Sequence, residues 1–106
     1  MSVPTVSVLL STCPPDDAWQ LGRWLVEESQ AASVNVIPQL TSFYRWDGEI
    51  QESDESLLVI KCRSDCVEKL TLALQDRHLY KVPSIIGLEV AAGNPDYLRW
   101  VHETSD

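Results

Sequence analysis

The dipeptide Asp47-Gly48 separates two long stretches that both read as strand, and it constrains the fold more than any other feature. Asp-Gly between strand-like arms signals a two-residue hairpin, because both central positions of the favoured turn need positive φ. The preceding arm, "SVNVIPQLTSFYRW", is rich in β-branched and aromatic residues. The following arm, "EIQESDESLLVIKCR", alternates polar and apolar residues before the continuous run "LLVI". Arms of this length on one tight turn imply a ribbon projecting beyond the body of a small domain. Pro38 cannot donate to a ladder, so an edge position or a bulge is expected there.

The rest of the chain supplies partners for that ribbon. "VSVLLST" is a first strand stopped by Pro14-Pro15. Pro15 suits a first helical position, and Asp16 and Asp17 complement the N-terminal dipole. Ala18, Leu21, Gly22, Leu25 and Val26 recur at helical spacing, with Trp19 and Trp24 at the edges of the stripe. Asp65 and Glu68 have the spacing of a second helix start. Val67, Leu70, Thr71 and Leu74 form its inward stripe, and it ends near Arg77-His78. After Pro83, "SIIGLEVAAG" reads as a strand, and Asn94-Pro95 opens a short helix made apolar by Tyr97, Leu98, Trp100 and Val101. The order β-α-β-β-α-β-α is the split βαβ, ferredoxin-like arrangement. It predicts an α+β sandwich with a long β2-β3 hairpin and a C-terminal helix, one domain over residues 1–106.

Right-handed crossovers place both long helices on the same face of such a sheet. The opposite face should then show alternation, yet "SVLLS", "LLVI" and "IIGL" present apolar side chains to both faces. Leaving such a face wet forgoes about 25 cal/mol per Å², and large exposed apolar patches are rare on monomers. The cover is either the C-terminal helix or another copy of the chain. One short helix spans little of a four-stranded sheet, so self-association is expected.

Composition narrows the partners. A formal net charge of −8 argues against nucleic acid and against an anionic membrane, both of which need clustered Lys and Arg. Three cysteines without a CxxC pair give neither a disulfide framework nor a structural zinc site. The start lacks a basic n-region and its apolar run is short, which is unlike a signal peptide and points to the reducing cytoplasm. No GxGxxG, Walker loop, HExxH or nucleophile elbow occurs, so no enzyme is expected.

"TSFYRWDGEIQESDESLLVIK" resembles the TSxYxWxGxIxExxExLLxIK signature of the CutA divalent-cation-tolerance family. "LVEESQAASVNVIP", "HLYKVPSII" and "AAGNPDYLRWV" resemble the family's LVEExLAACVNxIP, HPYxVPEII and GNPDYLxWL. The resemblance implies a trimer of ferredoxin-like subunits, similar to the PII signalling proteins, interlocked through the hairpin. It also implies a role in tolerance of divalent metals, with copper or another soft cation bound weakly and no cofactor required. Family members that bind metal carry a cysteine near the end of the first strand and a His-His pair before Pro-Tyr. Here Ser11 stands at that cysteine, Arg77-His78 at the pair, and Ser33 at the cysteine of the AAC motif.

Cys13, two residues beyond Ser11 on the same side of the strand, and His78 are therefore the candidate metal ligands. The structural alternatives are a small buried hydrophobe for Cys13 and a helix-terminal cation for His78. Glu49, Glu52, Asp54 and Glu55 read as the solvated edge of the ribbon rather than a cation site. Tyr44, Trp46, Lys61, Tyr80 and Glu89 belong to or flank the matching motifs. Together with Trp100 they are candidate trimer anchors, or the walls of a shared pocket for a small anionic effector. A PII-like sensor or adaptor is thus the alternative to a metal-tolerance role.

Overall fold

In the computed structural model, which describes residues 5–28 and 31–105, Asp47 and Gly48 both take positive φ, 50° and 77°. This is the two-residue turn whose twist matches that of the flanking strands. It joins β2 (Ser33–Trp46) to β3 (Glu49–Arg63), which pair antiparallel to the very tip, where Trp46 faces Glu49. The register slips between Ile37 and Leu40, and Gln39 takes a φ of 60°. Pro38 sits within that slip, so its missing donor is absorbed by a bulge on an edge strand.

β1 (Val6–Cys13) pairs with β3 on one side and with the short β4 (Ile86–Glu89) on the other. The antiparallel sheet has the order β2-β3-β1-β4, the ferredoxin-like order expected. The molecule measures 50 × 26 × 23 Å. The long axis reflects the ribbon, since strands rise ~3.3 Å per residue. β4 is shorter than "SIIGLEVAAG" suggested: after Val90, whose N–H still donates to the Val6 carbonyl, the chain leaves the sheet for the last helix.

α1 (Pro15–Glu28) begins at Pro15 with Asp16 and Asp17 in its first turn, as read. α2 (Val67–Arg77) starts later than expected. A single 3₁₀ turn, Ser64–Cys66, comes first, and the Asp65 carboxylate takes the Arg63 guanidinium instead of capping the helix. Ala18, Leu21 and Leu25 of α1 and Leu70 and Leu74 of α2 meet Leu9, Leu58 and Ile60 of the sheet in one core. Both helices therefore lie on one face.

α3 (Pro95–Thr104) is capped by Asn94, whose Oδ1 accepts from the Asp96 and Tyr97 amides at 3.0 and 3.5 Å. Its Leu98 and Val101 pack on Val6, Ala32 and Val90 in a second, smaller cluster. Val6 shares its face with Val8 and Leu10 by strand alternation. The helix thus covers one end of the helix-free face and leaves the rest open. Ile86 and Leu88 there remain 57% and 52% exposed, while Phe43 and Trp46 on the ribbon are 69% and 53% exposed. Residues 1–4, part of the start that bears on the signal-peptide reading, lie outside the described residues. No helix among those described is long and apolar enough to cross a membrane.

Candidate functional site

Glu55 stands in phase with Leu57 and Val59 along β3, so its side chain turns toward the helix-free face of the sheet. It is 5% exposed, and its Oε2 accepts a hydrogen bond from the Tyr80 hydroxyl at 2.9 Å. Burial, then the hydrogen bond to Glu55 and its charge, push the Tyr80 phenol well above its ordinary range, so it stays a donor. This corrects the reading of Glu55 as part of a wet ribbon edge. Tyr80, three residues past the end of α2, reaches across to claim it.

Around this pair lies a cleft of about 790 Å³ between the outer half of the hairpin, the end of β1 and residues 79–84. Tyr44 and Trp46 form one wall, Thr12 and Ser84 meet at 3.0 Å between their hydroxyl oxygens, and Lys81 and Arg45 also line it, Arg45 from the opposite phase of β2. The Tyr44 hydroxyl lies 3.0 Å from Ser53 Oγ, which fixes the ring against its own hairpin. Of the residues singled out from the sequence, Tyr44, Trp46 and Tyr80 come together here. Lys61 and Glu89 do not. Lys61 bonds Asn35 across β2, and Glu89 sits opposite Ser7 at the far end of β4. Trp100 stacks on Tyr97 along α3, their ring centroids 5.7 Å apart.

His78 is the residue after the last turn of α2, and its ring is fully engaged. Nδ1 accepts the Tyr80 amide N–H at 3.0 Å. A ring nitrogen that accepts carries no proton, so Nε2 bears it and donates to the Thr12 carbonyl at 2.9 Å. The imidazole is therefore a neutral bridge between β1 and the segment leaving α2, not a cation at a helix terminus. Cys13 is wholly buried in the main core, and its thiol is pushed up to about 11 by burial and by the charges of Asp17 and Glu55.

A metal needs a thiolate and a free imidazole lone pair. Cys13 and His78 offer neither in this arrangement. No group of three His, Cys, Asp or Glu side chains poised for a metal occurs among the described residues. The pair does not fit a preformed metal centre.

The family model for the CutA1 divalent ion tolerance protein matches residues 7–104. The chain belongs to the CutA1 family. It is 44% identical over 103 residues to the mouse protein CutA, covering 96% of this chain but 58% of the mouse one. The divalent-cation tolerance protein CutA of Thermus thermophilus is 42% identical over 99 residues, 92% of this chain and 96% of that one. The chain thus spans little more than half the length of its mouse relative. Among solved structures, Cut A1 from Thermus thermophilus superposes with a TM-score of 0.90 at 40% identity, over 95% of this chain and 99% of that one. The PII-like protein CutA from Nostoc, in apo form, superposes at 0.89 with 29% identity over 94% and 97% of the two chains.

Arg45, Lys81, Thr12 and Ser84 escaped the reading from sequence, and Glu55 was read there only as ribbon edge. One signal was present for Glu55: a carboxylate placed in the apolar phase of β3, two residues before Leu57. Lys81 and Ser84 carried none, because only the fold brings their loop against the hairpin.

Proposed function

We propose that this CutA1-family chain works as a homotrimer in divalent-cation tolerance, with no catalytic step of its own. The observation that carries the assembly is the helix-free face, where Ile86 and Leu88 stay more than half exposed after α3 has packed. A second and third copy are the simplest cover, with Trp46, Tyr44 and Trp100 as anchors. Copper or zinc at Cys13 and His78 would displace at least one imidazole hydrogen bond and ionise a thiol pushed to about 11, so binding there is weak. Light scattering should give three chains per particle at micromolar concentration, and a monomer would refute the assembly. Copper titration of the wild type and His78→Ala should show no tight one-per-chain site that the substitution removes. The three buried thiols suit a reducing compartment, and we place the protein in the cytoplasm, which cell fractionation tests.

A second reading is favoured by the cleft at Glu55 and Tyr80: a PII-like sensor whose ligand is a small organic molecule. Its volume lies within the ~300–1,000 Å³ typical of such sites.

A further inference from the structure

Glu55 stands on the face that the helices leave open, without a counter-charge in its own chain. Its Oε2 accepts from the Tyr80 hydroxyl, and no ion pair reaches it among the described residues. Oε1 has no partner among them either, yet it is not sealed off as Ser11 Oγ is, so it opens on to the cleft. The same face carries one cation in a similar state. β1 and β4 have no Lys or Arg, and Arg45 of β2 stands in the opposite phase. On β3, Lys61 and Arg63 share the phase of Glu55, and Asp65 takes Arg63. Lys61 is partly buried, and its Nζ donates to Asn35 Oδ1, a neutral acceptor, which leaves two of its three donors. Within one chain Glu55 and Lys61 do not meet, because six residues of strand hold their backbones ~20 Å apart.

We propose that Lys61 of one copy donates to Glu55 of the next, so that the carboxylate is completed only by assembly. Covering the open face takes both groups out of water at once, and a charge left there unpaired is strongly destabilising. Each copy gives its lysine to one neighbour and its glutamate to the other, a head-to-tail contact of the kind that closes a ring. Apolar side chains alone accept many registers, whereas one ion pair at each boundary admits one. Glu55 and Lys61 thus set register and partner, while Trp46, Ile86 and Leu88 supply area. The inference rests on the trimer reading and specifies its contact. It needs no ligand in the cleft and is independent of the metal-tolerance role. The competing donor is Lys81 of the same chain, which lines the same cleft.

Sedimentation of the wild type, Glu55→Gln, Lys61→Met and the double variant over a dilution series tests the pair. Glutamine still accepts from Tyr80, and methionine keeps most of the lysine stem. Each single variant should raise the concentration at which trimers half dissociate by about tenfold or more, and the double variant should be no worse than the worse single one. Where dilution does not separate the chains, the same cycle is read from the urea midpoint of dissociation. Charge reversal gives a second arm. Glu55→Lys and Lys61→Glu should each assemble poorly alone, and mixing them should produce mixed trimers by native mass spectrometry, a rescue that a pair within one chain does not give. Circular dichroism checks every variant, and the neutral cycle carries the test if a charge-reversed chain fails to fold. A monomeric wild type overturns the trimer and the pair together. A trimeric wild type in which the neutral substitutions act additively, or in which folded charge-reversed chains assemble no better mixed than alone, overturns the pair and leaves the trimer. Coupling of Glu55→Gln to Lys81→Met in place of Lys61→Met assigns the carboxylate to a cation of its own chain and overturns the pair as well.

Discussion

His78 Nε2 donates to the Thr12 carbonyl at 2.9 Å, tying the segment that leaves α2 to the end of the first strand, 66 residues earlier. The second ring nitrogen accepts from Tyr80, so one imidazole orders both the strand end and the residue that holds Glu55. His78→Ala should lower stability by ~2 kcal/mol, since it strands a partly buried carbonyl and an amide N–H without partners. His78→Phe should recover ring volume but not the bonds, and fall between the two. Urea unfolding at matched protein concentration measures this. A His78→Ala protein as stable as wild type would remove the bridge from the account.

Ser11 and Ser33 stand where the CutA motif resembled by this chain has cysteine, and both Oγ atoms are buried without a hydrogen-bond partner among the described residues. Ser11 is almost wholly enclosed. A hydroxyl in that state has lost water and gained nothing, whereas a thiol behaves as a small hydrophobe. Ser11→Cys and Ser11→Ala should each raise stability by ~1 kcal/mol, visible as a higher melting temperature. The gain at Ser33, which is only partly buried, should be smaller. A fall in melting temperature for both Ser11 variants would mean that the hydroxyl has a partner after all.

The thiols set a limit on alkaline stability. Cys13 and Cys62 are both pushed from 9.0 to about 11, first by burial, then by neighbouring groups: Asp17 for Cys13 and Cys66 for Cys62. Below pH 9 both folded and unfolded chains keep these protons, and the shifts contribute nothing. Between pH 9 and 11 the unfolded chain releases them and the folded chain does not. Stability therefore falls with rising pH, by about 1.4 kcal/mol per unit for each thiol. Cys13→Ala should flatten that part of a stability-pH profile, whatever it costs at neutral pH. A profile as steep as wild type would show that Cys13 is not a source of the slope.

Local chemistry made much of the fold legible. Asp47-Gly48 demanded a turn with two positive φ values, Pro15 and Asn94 opened helices where they stand, and Pro38 forced a bulge. Each of these effects acts within a few residues. Only the start of α2 was read too early, because Asp65 had a better use in pairing with Arg63, a contact between the strand end and the turn that spacing rules do not weigh. The candidate site was half legible. Tyr44 and Trp46 are neighbours in sequence and flank the turn, so grouping them was easy. Glu55, Lys81 and Thr12 meet only through the sheet order and the path of residues 79–84. Lys61 lies in phase with Glu55 but six residues along a strand, ~20 Å away, which its membership of the same motif concealed.

Gly22 lies on the inner face of α1 at a point where the helix meets β2. A Cβ there would approach Val34 Cγ1 and Val36 Cγ2, both at 3.3 Å. Two effects compete for Gly22→Ala. The helix gains ~1 kcal/mol from replacing glycine, while the valine methyls must give by a few tenths of an ångström. Because β2 is an edge strand, it can move outward slightly, and Gly22→Ala should be within ~1 kcal/mol of wild type. Gly22→Leu has no such escape. Its side chain would have to wedge the helix off the strand, at a cost of ~2–3 kcal/mol despite leucine's high helix propensity. Thermal unfolding of the two variants separates propensity from packing: if leucine proved as stable as alanine here, the close approach of α1 to β2 would not be what holds the helix in place.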